Sequence, residues 1–223
     1  MKKTVFSLSL FLISNLLCRE VSAQRFKAGI SAGLVSSDVY GDDPRDYDND
    51  FNKLGYVWGG LVNTHLSEND VLQLEINLIQ KGTLQSPDSN GFGYYRLALN
   101  YVEMPLIYKH RIALRISKNP INAFDIIAGI SAGQLYHSKI EGDFITVNPD
   151  MSFLNKTDVS IHLGIAYNFS NHFNFCIRYS NSIIPVFKQN IVSSFYYPTP
   201  FDKFNSRNNM VWHFIFEYTF GNS

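Results

Sequence analysis

The sequence holds two serine–histidine arrangements of the residue types that hydrolysis needs. Ser160 and His162 stand two positions apart, and Ser138 directly follows His137. A serine nucleophile requires a base within hydrogen-bond reach and an acid that orients that base. Glu103 or Asp125 would serve as the acid, yet no spacing in the chain brings either to His162. His162 is therefore read as a histidine satisfied inside the fold, and no catalytic residue is assigned. A second chemistry is cation binding. Asp46-Tyr47-Asp48-Asn49-Asp50 begins like a calcium loop, and Asp38, Asp42 and Asp43 crowd the same stretch. The pattern then fails, with Phe51 where the turn glycine belongs and Val57 where the bidentate glutamate belongs. The stretch reads as a solvated acidic loop, and neither a metal nor a cofactor is assigned.

A third set is larger and more orderly. Glu75, Glu103, Asp125 and Glu217 are balanced by Lys27, Lys81, Lys109 and Arg178, with His162 and His213 among them. Each falls on the polar face of a segment that alternates with period two. An unpaired buried charge is costly. These residues are expected to pair with one another across the interior of a narrow barrel, as a structural polar network that plugs it. The alternative is that they line a narrow or gated ion path.

The elements that would hold them are eight strands. They are Arg25–Ser36, Leu54–Leu66, Val71–Lys81, Leu97–His110, Ile121–Tyr136, Asp158–Phe169, Phe173–Ser180 and Val211–Phe220. Alternation over such lengths marks strands with two unlike faces. In the last strand Trp212, Phe214, Phe216, Tyr218 and Phe220 share one face, opposite His213, Ile215, Glu217 and Thr219. Five aromatics on one face fit a wall against lipid with an aromatic girdle. On the second strand Asn63 and His65 are placed on the inner face. Pro105 removes a ladder donor from the fourth and predicts a bulge or bend there. The fifth puts Gly129, Ser131 and Gly133 inside with Asp125. Small residues mixed with charges suit a narrow interior better than a solvated exterior.

The connections alternate in length. Those at 37–53, 82–96, 137–157 and 181–209 are long; Ser67–Asp70 and Ser170–His172 are short turns, and Arg111–Pro120 is intermediate. In an up-and-down barrel alternate connections lie at one end, so the long ones are expected outside the cell and the short ones in the periplasm. A soluble lipocalin-like ligand carrier would share the strand count, with its faces reversed.

The N-terminus predicts export. Lys2 and Lys3 precede an apolar stretch from Thr4 to Leu17, and Val21-Ser22-Ala23 gives the small residues of a cleavage site. Residues 1–23 are read as a signal peptide, and 24–223 as a single barrel domain. A lipoprotein reading through Cys18 is weaker, because Leu17 precedes it and Arg19-Glu20 follow. Cleavage removes three of the 19 basic and one of the 19 acidic residues, for a net charge of −2. No basic patch calls for nucleic acid. Cys176 alone would remain, excluding an intrachain disulfide. No apolar run is long enough for a transmembrane helix.

The stretches LQLEINLIQKG (Leu72–Gly82), LNYVEMPLIYKH (Leu99–His110), AGISAG (Ala128–Gly133) and FNFCIRYS (Phe173–Ser180) occur in an order that resembles the PorT-type outer-membrane β-barrel proteins of the Bacteroidota. The resemblance implies an eight-stranded barrel in the outer membrane of a Gram-negative cell. It also implies partners: outer-membrane lipid and lipopolysaccharide, the barrel-assembly machinery, and a secretion or surface protein. Phe214, Phe216, Tyr218 and Phe220 resemble the C-terminal aromatic signal read by that machinery.

The fold class expected is thus all-β, an eight-stranded antiparallel up-and-down transmembrane barrel with long extracellular loops. The function expected is non-enzymatic: structural, adhesive or secretion-associated. An outer-membrane lipid hydrolase or a narrow ion channel is the alternative.

Overall fold

The structure, a computed structural model, describes residues 26–39, 51–85, 94–113, 123–142, 146–147, 154–188 and 208–220. Its strands are β1 (Lys27–Val39), β2 (Lys53–His65), β3 (Asp70–Gln85), β4 (Tyr95–Ala113), β5 (Ala123–Gly142), β6 (Thr146–Val147), β7 (Thr157–Asn168), β8 (Phe173–Ser182) and β9 (Asn209–Thr219). The two-residue β6 pairs only with the far end of β5. The other eight form a closed ring in the order β1, β2, β3, β4, β5, β7, β8, β9 and back to β1. Every neighbouring pair is antiparallel. β9 closes the ring on β1 from Gly29↔Thr219 to Val39↔Asn209. Closure of this kind removes the open edge that hydrocarbon does not tolerate.

Alternation decides which way each side chain points. On β9 Trp212, Phe214 and Phe216 face outward, with Phe220 just beyond the strand; His213, Ile215, Glu217 and Thr219 are buried inside. β1, β3, β7 and β8 follow the expected faces in the same way. The exposed apolar side chains thus form the outer wall, among them Ile30, Leu34, Trp58, Ile76, Met104, Ile130, Leu163 and Phe216. The interior is not purely polar: Val35, Val57, Ile79, Leu99, Ile127 and Ile215 pack there with Tyr101.

Three expectations are corrected. Asn63 is half-buried, but His65 is exposed at the rim, because β2 ends there and the chain turns through Leu66–Asn69. Pro105 makes no bulge; it stays in register with Ser131, and what is lost is the pairing with β3 between Leu74↔Leu106 and Asn77↔Glu103. A proline subtracts a donor without adding a residue. The bulge lies instead opposite Asn100 and Tyr101, where Tyr136 is the extra residue of β5. Finally, β3, β4 and β5 run on to Gln85, Tyr95 and Gly142. β1 and β8 likewise run on to Val39 and Ser182, so residues expected in all four long connections are strand.

Two connections are described in full. Leu66 N–H donates to the Asp70 carbonyl at 2.8 Å, and Phe169 N–H to the Phe173 carbonyl at 3.0 Å, closing tight turns at one end of the barrel. At the opposite end Leu154 bridges Phe187, and Leu154 and Val186 join the buried apolar cluster. The acidic residues Asp42, Asp43, Asp46, Asp48 and Asp50, the expected leader at 1–23 and most of the last long connection lie outside the described residues.

Candidate functional site

The inward charges meet in the middle of the barrel. Arg178 on β8 donates to Glu75 on β3 through both guanidinium nitrogens, at 2.8 and 3.0 Å. β3 and β8 are four strands apart around the ring, so this contact spans its full width. Room for the arginine comes from the neighbouring strand. Gly164 pairs with Arg178, and a Cβ there would stand 3.1 Å from the Arg178 Cγ. Gln73 and Asn77, on the same face of β3, donate to the two Glu75 oxygens at 2.8 and 2.7 Å. Three hydrogen-bonding partners offset part of the cost of taking this carboxylate out of water.

Lys109 on β4 reaches Glu217 on β9 at 2.6 Å, another pair from opposite walls. Gln73 Nε2, Asn174 Nδ2 and the Cys176 thiol also donate to Glu217, at 3.1, 3.3 and 3.3 Å. Cys176 is thus a buried free thiol with a partner. Lys81 on β3 bonds Glu103 at 3.0 Å and Asp158 at 2.8 Å, and lies over the Tyr101 ring at 5.4 Å.

Two of the expected charges are elsewhere. Asp125 pairs with Arg111, its register partner on β4, at 3.3 Å and at the rim, not across the barrel. Arg111 extends β4 past His110, which supplies a nearer cation. Lys27 is half-buried at the same end.

The serine–histidine arrangements do not assemble as a nucleophile and base. Ser160 Oγ donates to Asp158 at 3.3 Å rather than facing His162. His162 Nε2 lies 2.8 Å from Ser131 Oγ, and Ser131 Oγ donates to Glu103 at 2.6 Å. With the hydroxyl hydrogen on Glu103, His162 is the donor to Ser131, the reverse of the role a general base plays. His213 Nε2 lies 2.8 Å from Ser180 Oγ, with the two imidazole rings 5.6 Å apart. Ser138 is buried while His137 is exposed, because successive strand residues face opposite ways and the Tyr136 bulge turns Ser138 inward. Among the described residues no three acidic, histidine or cysteine side chains are grouped to hold a metal.

Asp158, Ser131, Gln73 and Asn77 belong to the network without having been assigned to it from sequence. The available signal was parity, since each shares the inward face of its strand with an assigned residue. Lys53 was also missed. It is buried at the opposite rim with Gln80 Oε1 at 3.4 Å.

No curated protein matches the sequence. Among solved structures, the Yersinia pestis attachment invasion locus protein Ail is 14% identical, with a TM-score of 0.47 over 87% of this chain and 98% of that one. Neisserial surface protein A is 8% identical, with a TM-score of 0.45 over 87% and 97%. The N-terminal β-barrel domain of Pseudomonas aeruginosa OprF is 10% identical, with a TM-score of 0.37 over 88% and 100%. A family model described as outer membrane protein beta-barrel domain matches residues 20–188. With the ring of strands, the apolar outer wall and the paired interior already in place, that match shows that the chain belongs to the outer-membrane β-barrel domain family.

Proposed function

We propose that the protein is a non-enzymatic outer-membrane barrel whose interior is closed by its own side chains. It acts as a scaffold that presents its long connections to a partner. The observation that carries this reading is the pair of ion pairs from opposite walls, Arg178–Glu75 and Lys109–Glu217, both buried. An eight-stranded barrel is only wide enough for its side chains to fill. The test is conductance of the purified protein in a planar bilayer. Silence is expected, and steady single-channel steps would replace this reading with the ion path.

The finer assignment is PorT-like and secretion-associated, supported by the order of the four stretches quoted above. Export through a leader cleaved before Gln24, a Bacteroidota origin, and long connections facing outward belong to the same reading. N-terminal sequencing of protein from isolated outer membranes tests the cleavage. Cross-linked pull-down from solubilised membranes tests the secretion or surface partner.

A further inference from the structure

On the outer wall of β2 to β5, at the end opposite the tight turns, lies a polar cleft of about 350 Å³. The Tyr136 bulge makes it. Before the bulge the odd-numbered residues of β5 point inward; after it they point outward, which brings His137, Lys139 and Glu141 onto the wall. Bulges re-aim side chains in this way. Glu141 pairs with Lys139 on one oxygen and with Arg96 Nη1 on the other, at 3.1 Å. One carboxylate between two cations leaves a net positive charge, and both cations remain about 40% exposed. Beside them Asn100 Oδ1 accepts from the Tyr56 hydroxyl and from Gln80 Nε2, each at 3.2 Å.

On β2 to β4 the row directly below is apolar: Trp58 pairs with Leu78, and Leu78 with Val102, while Gln134 continues it on β5. The cleft therefore sits where the wall changes from apolar to polar, and it opens outward, on the side that lipid occupies. Aromatic residues at this level, here Tyr56 and Tyr136, mark a membrane–water boundary. We propose that the cleft binds the net-anionic phosphate headgroup of a lipid in the surrounding leaflet, in preference to a zwitterionic one, with Arg96 and Lys139 on the phosphate and the acyl chains along Trp58 and Val102. The inference rests on the outer-membrane reading and adds a ligand class and residues to it.

The test uses full-length folded barrel in detergent, with lipid A bisphosphate and phosphatidylcholine at equal concentration, read by native mass spectrometry. Wild type should retain the bisphosphate lipid selectively. Arg96→Gln with Lys139→Gln should lower retention roughly 25-fold, at about fivefold for each cation beside an anionic lipid surface. Glu141→Gln should raise it, because the carboxylate competes with phosphate for both cations. A merely structural Arg96–Glu141–Lys139 bridge would make Glu141→Gln lose retention or leave it unchanged, and that result overturns the proposal. Displacement by inorganic phosphate at the lipid's own concentration also overturns it, in favour of a soluble anion. A folded barrel that inserts into membranes but does not discriminate the two lipids sinks the proposal alone. Failure to insert into any membrane sinks both it and the outer-membrane reading.

Discussion

Arg178 and Glu75 lie on strands four apart in the ring and 103 residues apart in sequence, yet form a two-pronged contact with both side chains buried. Such a pair is a weak source of net stability but is costly to break from one side. Removing either partner leaves a charge in a dry interior.

Glu75→Ala is accordingly expected to destabilise the barrel by about 3–5 kcal/mol. Urea unfolding from liposomes, followed by tryptophan fluorescence, measures it. The double variant Glu75→Leu with Arg178→Met should recover most of the loss. A double variant as unstable as the single one would show that the pair is not what holds these strands.

Gly82 sits in β3 with φ +131°, and a Cβ there would run into the Leu97 carbonyl oxygen. L-residues avoid this conformation, and forcing one into it costs on the order of 1–3 kcal/mol. Gly82→Ala should lower the unfolding free energy by that amount, read as a lower urea midpoint at unchanged slope. An unchanged midpoint would mean that β3 relaxes around the new methyl group.

Phe220 is 47% exposed on the outer wall and Thr219 is 4% exposed inside it. Tyr218 packs against Phe220 at 5.3 Å and against Phe173 at 4.8 Å, building an aromatic band at the tight-turn end. If Phe214, Phe216, Tyr218 and Phe220 act as the assembly signal, Phe220→Asp should reduce assembly far more than Thr219→Asp. The heat-modifiable fraction in isolated outer membranes reads this. Equal losses would remove the distinction between the faces.

Asp70 stands at the tight-turn rim, where it accepts from His110, Ser67 and Tyr108. These bonds, His110 first, hold its carboxyl well below the usual carboxylate range. A depressed folded value means a contribution present above the unfolded value, about 3.9, and lost as pH falls through the folded one. Amide-exchange protection at Leu66 and Ser67, which both donate to the Asp70 carbonyl, should hold down to about pH 4 and decline below it. Asp70→Asn should flatten that acid limb. Wild-type protection that is constant into strong acid would count against the link.

The direction of nearly every strand side chain was determined by sequence alone. Alternation is local: whether His213 faces in and Phe214 out depends on a two-residue repeat and on nothing distant. The aromatic face of β9 and its closure on β1 followed from that repeat and from the absence of edges in hydrocarbon. Which inward charges touch was decided by the tertiary structure, because partners across the barrel depend on strand number, tilt and stagger. Asp125 accordingly has Arg111, and Lys81 takes Asp158 as well as Glu103. The bulge at Tyr136 was equally illegible. One extra residue inverts every face beyond it, and so Lys139 and Glu141 stand on the outer wall.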